Sequence, residues 1–293
     1  MLIVITIPAF NEEATIGKVI SDIKDTMRKT HYKYKVLVVD DGSTDKTAEI
    51  SKKSGAIVFS HPRNYGLADT FRTELQKCLE LKAEIIVHTD ADGQYRAADI
   101  PKLLREIEKG YDLVLGDRFA GGIESMPLLK RCGNKAFSKV ISRIISYKVN
   151  DCQTGFRAFT REVAEKVRII SSHSYTQEQI IRAVKQKYRI KEVPVFFLKR
   201  KDKSRLISNP FGYAFKAWIN ILRTYRDYEP LKFFGIIGAV FIGLGMILGL
   251  WLLSLYIRFG EIGHYPTIML AVLLIISGVQ ISLFGFFADM HRK

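Results

Sequence analysis

Cysteine is scarce in this chain of 293 residues: Cys78, Cys132 and Cys152 are odd in number and not spaced as metal ligands. No disulfide framework can be read from them, and they suit a reducing compartment. The phosphate-cradling Gly-x-Gly-x-x-Gly and Walker loops are missing as well. So are helix-turn-helix, zinc-finger and RNA-binding signatures, which sets nucleic acid aside as the partner for a net charge of +15. An anionic membrane surface and an anionic substrate account for that charge better. The chain has no internal repeat and no low-complexity stretch, and its first residues carry no signal-peptide pattern.

Charge is lacking over two long runs. Residues 233–257 and 266–288, 25 and 23 long, contain none. At about 1.5 Å per residue each reaches roughly 35 Å, enough to cross a hydrocarbon core of about 30 Å. Arg223, Arg226 and Lys232 precede the first run, Arg292 and Lys293 follow the second, and the loop between offers one Arg and one Glu. The positive-inside rule therefore predicts a two-span hairpin in the cell membrane, with the N-terminal domain and C-terminus cytoplasmic. Before it, Phe211, Phe215, Trp218, Leu222 and Tyr225 form an apolar stripe beside Lys216, Arg223 and Arg226. That pattern predicts an amphipathic helix in the headgroup layer. The expected divisions are 1–208, 209–230 and 231–293. Ala239, Gly243, Gly245 and Gly249, with Gly278 and Ser282, allow close packing within the hairpin or in a homo-oligomer.

Residues 1–117 alternate apolar strands with helical segments. Strands are predicted at 2–8, 35–40, 56–60, 84–89 and 111–116, and helices at 14–27, 46–54, 67–81 and 100–109. Continuously apolar strands joined by helices imply an α/β domain with a mostly parallel sheet covered on both faces. Further on, Phe137, Val140, Ile141, Ile144 and Ile145 make one face of a helix, and Lys135, Lys139 and Arg143 another.

The chemistry gathers at strand ends. The fourth strand runs into Asp90-Ala91-Asp92-Gly93-Gln94. Paired carboxylates are costly to keep ionised there unless something cationic neutralises them, and a hard divalent metal shared with a phosphate-bearing substrate would do so. A turn in which Asp caps the next helix is the competing reading, and the motif alone does not decide. The first strand ends Ile7-Pro8-Ala9-Phe10-Asn11-Glu12-Glu13, and the second Val38-Val39-Asp40-Asp41-Gly42-Ser43-Thr44-Asp45. Carboxylates at such positions can accept hydrogen bonds from a base or ribose. His61, His88 and His173 are not spaced as ligands and read as structural. Five of the seven residues at 199–205 are cationic.

These blocks, with Gly116-Asp117-Arg118-Phe119 and Asp151-Cys152-Gln153-Thr154-Gly155-Phe156-Arg157, occur in the order and spacing of family-2 inverting glycosyltransferases. The chain most resembles the polyprenyl-phosphate branch, typified by dolichyl-phosphate mannose and glucose synthases, over roughly residues 1–210. The resemblance implies a nucleotide-sugar-transferase (GT-A type) domain and a nucleotide site of Pro8, Phe10, Glu12, Val39, Asp41, Asp90, Ala91 and Asp92. It implies Asp92 and Gln94 as ligands of Mg²⁺ or Mn²⁺, and Arg118 between donor and acceptor phosphates, so that Asp92 and Arg118 carry the catalysis. Arg200 and Arg205 would clamp the diphosphate, although the glycine usual in that loop is missing and the spacing is short.

The expected reaction moves one sugar from GDP-mannose or a UDP-sugar to a polyprenyl phosphate. Such an acceptor is largely dianionic at neutral pH and needs positioning, not deprotonation. Arg131 and Lys135 are candidates to meet its phosphate, and Asp151 and Glu178 to position it or to act as base for a hydroxyl. A transferase acting on a glycolipid or sugar hydroxyl is the alternative, as is a non-catalytic nucleotide-sugar-binding scaffold.

Overall fold

The computed structural model describes residues 1–170, 175–199, 219, 222–223, 225–260 and 265–291. The chain divides into two compact units, Met1–Tyr213 and Ala214–Lys293.

In the first unit β1 (Leu2–Ala9), α1 (Ile16–Met27), β2 (Lys33–Asp40), α2 (Thr47–Lys53), β3 (Ile57–Ser60), α3 (Leu67–Glu80), β4 (Ile85–His88), α4 (Ile100–Glu108) and β5 (Leu113–Asp117) follow the expected alternation. Then come α5 (Arg118–Gly121), α6 (Leu128–Ile145), β6 (Arg157–Thr160), α7 (Arg161–Lys166), α8 (Thr176–Lys185) and β7 (Ile190–Pro194). Among the described residues the sheet has seven strands, ordered β3-β2-β1-β4-β6-β5-β7. All neighbours are parallel except β6, which runs antiparallel to β4 and β5.

Both faces of the sheet are covered, which is why its strands are continuously apolar. Ile3, Ile5 and Ile7 face Ile16, Ile20, Ile23 and Met27 of α1 and Leu103, Leu104 and Ile107 of α4. Each of the α1 side chains contributes about 1.5–3 kcal/mol by leaving water. On the opposite face Thr6 donates to Glu74 of α3 at 2.9 Å. Because the long strands are parallel, the carboxyl ends of β1, β2, β4 and β5 share one edge, and the loops there carry the motifs. Gly42 makes the turn after β2 at φ +73°, where a side chain would be strained and a Cβ would meet the Arg63 carbonyl carbon at 2.5 Å.

In the second unit α9 (Pro230–Phe259) and α10 (Tyr265–Met290) are both long and apolar enough to cross a membrane. They contain both charge-free runs. Their outward faces expose large apolar side chains such as Ile236, Leu250, Ile257, Leu273 and Phe286. The helices meet through small residues: a Cβ on Gly278 would lie 2.7 Å from the Gly238 carbonyl, and one on Gly245 would lie 2.9 Å from the Ala271 carbonyl. Gly243 and Gly249 face open space among the described residues. Replacing Gly278 by Leu should therefore cost about 1–3 kcal/mol by overpacking, seen as a lower melting temperature in detergent, whereas Gly243→Leu should leave it unchanged.

Candidate active site

Two turns at the carboxyl edge are tied to each other. Asn11 sits in the left-handed region (φ 54°), donates its N–H to Ser43 Oγ at 2.9 Å and accepts from the Thr44 N–H at 2.8 Å. Glu12 N–H donates to Thr47 Oγ1 at 2.8 Å, and Glu13 Oε2 accepts from Lys46 N–H at 3.0 Å. This fixes Pro8, Phe10 and Glu12 against the second turn, with Phe10 exposed. Val39 pairs with Pro8 in the β1–β2 register and is completely enclosed. Its side chain is therefore part of the sheet core and not of the surface at the strand end.

Asp41 is buried and works on its own chain. Its Oδ1 accepts from Tyr65 N–H at 2.9 Å and meets His61 Nδ1 at 2.8 Å, and its Oδ2 accepts from Gly66 N–H at 2.9 Å. Its carboxylate thus anchors the loop at 61–66 to the carboxyl edge of the sheet, and His61 is structural in that sense. Lone-pair capacity remains for one further donor.

At the end of β4, Asp90 is half-buried, Ala91 buried, and Asp92 accepts from the Gln94 N–H at 3.1 Å. Gln94 donates its side-chain amide to the Leu198 carbonyl at 3.0 Å, and its backbone carbonyl accepts from the Leu198 N–H at 2.8 Å. Burial, followed by the neighbouring Asp92 charge, pushes the Asp90 carboxyl up to about 6. A carboxyl raised in the folded state destabilises once it ionises, so this penalty is present above about pH 6 and is relieved as pH falls toward the unfolded value. Metal-free Asp90→Asn protein should be more stable than the parent near neutral pH, with the gap closing as pH falls below about 6 in thermal melts.

Across this edge Arg118 opens α5. Its Nε and Nη2 donate to Asp151 Oδ2 and Oδ1 at 2.6 and 2.8 Å, and both side chains are buried. Burial alone would favour the neutral form of Arg118; Tyr95, Asp151 and Asp90 outweigh it and hold the guanidinium above its ordinary value. Asp117 caps α5, accepting from Phe119 N–H at 2.8 Å and Asn150 Nδ2 at 3.0 Å, while Glu192 accepts from the N–H groups of Asn150 and Asp151. Both oxygens of Asp151, a candidate for positioning or as base, thus face a guanidinium. Glu178, the other such candidate, accepts from Ile170 N–H and from Arg182 at 2.7 Å and anchors the chain near 170. Lys135 lies 5.4 Å from the ring centroid of Phe119, the residue that follows Arg118 in the chain, and Arg131 stands exposed one turn earlier on α6. Arg200, Arg205 and most of the expected interfacial helix lie outside the described residues.

Motif reading passed over Tyr95, Glu192 and Glu74, whose Oε2 lies 3.2 Å from Nε2 of the structural His88. Antiparallel β6, which brings Gly155 beside Asp90, carries no signal in the alternating pattern that revealed the parallel strands.

Acidic turns and a buried arginine thus share the carboxyl edge of an open α/β sheet, and the chain that carries them is a glycosyltransferase. It belongs to glycosyl transferase family 2, whose family model matches residues 4–168. It is 36% identical to a dolichyl-phosphate hexose transferase of Haloferax volcanii over 69% of this chain and 85% of that one. It is 30% identical to glycosyltransferase AglJ of the same organism over 98% of this chain and 93% of that one. Glucosyl-3-phosphoglycerate synthase of Mycobacterium tuberculosis, crystallised with Mn²⁺, UDP-glucose and phosphoglyceric acid, superposes with a TM-score of 0.60 at 20% identity. That match covers 76% of this chain and 79% of the synthase, and establishes the GT-A fold.

Proposed function

We propose that this enzyme transfers a single sugar from GDP-mannose or a UDP-sugar to a polyprenyl phosphate at the cytoplasmic face of the cell membrane, with inversion. The observation that carries the proposal is Arg118, held by Asp151 in the electrostatic reach of Asp90, in a chain that also carries two membrane-length apolar helices. Pro8, Phe10, Glu12 and the Asp41-anchored loop bind the nucleoside. The acceptor phosphate, guided by Arg118 and by Arg131 and Lys135 on α6, attacks the anomeric carbon from the face opposite the leaving group. The bond to the diphosphate breaks, and its electrons leave with the nucleoside diphosphate. No proton has to be removed. A hydroxyl acceptor would need a base, and Asp151 is already committed to Arg118, which favours the phosphate.

Among the described residues no three His, Cys, Asp or Glu side chains converge to hold an ion. The residues present nonetheless suit Mg²⁺ or Mn²⁺, because two repelling carboxylates and a carboxamide are hard oxygen donors and a bound diphosphate supplies more. Asp92 and Gln94 would hold the ion, which when bound neutralises charge on the leaving diphosphate. Arg200 and Arg205 belong to the same proposal as diphosphate clamps.

A panel of radiolabelled nucleotide sugars offered to purified protein with polyprenyl phosphate tests the reading. One donor should label the lipid. No labelling with any donor, while nucleotide still binds, would support a scaffold instead.

A further inference from the structure

Gly155 has its backbone outside the left-handed region, so its conformation does not call for glycine. Space does. Extending the β4–β6 register (His88 opposite Arg157) places Gly155 opposite Asp90, and a Cβ there would lie 2.6 Å from Asp90 Oδ1, 2.9 Å from Oδ2 and 3.0 Å from Cγ. The whole carboxylate is seated on the bare α-carbon.

That seat is fixed from both sides. The Gly155 carbonyl accepts from His88 Nδ1 at 2.8 Å, and its N–H donates to Tyr95 Oη at 3.1 Å. His88 is completely buried, with its Nε2 against Glu74, whose other oxygen is held by Thr6. Tyr95 stacks on Phe156 with centroids 5.2 Å apart and packs edge-on to Phe197. Each of the two polar groups of the Gly155 backbone is therefore gripped by a side chain that is itself locked by packing.

We infer that Gly155 is the seat that sets the position of the Asp90 carboxylate, and that His88 and Tyr95 are positioning residues acting on Asp90 through it. The inference rests on the reading of Asp90 as part of a nucleoside diphosphate site. Small displacements of such a group are expensive: about 1 Å can cost on the order of 100-fold in rate.

Calorimetric binding of UDP and of GDP in the presence of Mn²⁺, on the full chain in detergent, tests this without relying on turnover. Gly155→Ala should bind at least about tenfold more weakly with a nearly unchanged melting temperature. In an Asp90→Ala background the same substitution should cost nothing further, because the carboxylate it displaces is gone; a purely structural defect would weaken both backgrounds alike. Tyr95→Phe keeps the ring and removes the grip, and should weaken binding about two- to fivefold. This softer variant decides the matter if Gly155→Ala does not fold. Parent-like binding by Gly155→Ala or by Tyr95→Phe, or additive losses in the double variant, would overturn the inference. If the parent binds neither nucleotide, the reading of the site fails and the inference with it.

Discussion

Asp92→Ala should lose metal-dependent sugar transfer by at least about 100-fold, the scale on which single preorganised charge-stabilising groups act. The loss should appear in kcat more than in the binding of the lipid. The same change removes the like charge that, after burial, raises the Asp90 carboxyl. The metal-free variant should accordingly melt no lower than the parent. Activity and stability thus move in opposite directions, a signature of a site whose carboxylates are kept close for function at the expense of stability. Retained turnover, measured with radiolabelled donor across a Mn²⁺ and Mg²⁺ titration, would remove Asp92 from the metal set.

Asp151→Ala carries the second large effect, on stability first. It would leave the buried Arg118 guanidinium without its bidentate partner. Breaking one half of a buried pair costs about 3–5 kcal/mol, and for a unit of this size that lowers the melting temperature by roughly 10 °C. Asp151→Asn should be intermediate, since the amide keeps the shape and one acceptor. If Asp151 were instead a general base, Asn would abolish turnover with the melting temperature unchanged. Differential scanning fluorimetry alongside the transfer assay separates these outcomes.

Much of this was legible in the sequence because the parallel strands are apolar on both faces and their carboxyl ends are punctuated by acidic turns. β1, β2, β3, β4 and β5 lie within a few residues of the predicted runs. Asp90, Asp92 and Arg118 could be proposed from the sequence because residue type and neighbours in the chain announce their chemistry. The role of Asp151 was less legible: a free carboxylate and one spanned by a guanidinium look alike in sequence, and only the fold brings residue 118 to residue 151. Val39 is similar, since a motif position gives no sign of whether its side chain is enclosed. Gly155 and Tyr95 remained invisible because their role is spatial. One matters through the Cβ it lacks beside Asp90, the other through a hydroxyl that holds a backbone N–H 60 residues away.

The most direct measurement offers the purified protein, in membranes, its labelled donor with either a polyprenyl phosphate or the matching free polyprenol. The proposed reaction predicts a labelled lipid from the phosphate alone, with release of the nucleoside diphosphate and an anomeric configuration opposite to that of the donor. Labelling of the free polyprenol, or a product on the phosphate with the configuration retained, would contradict it.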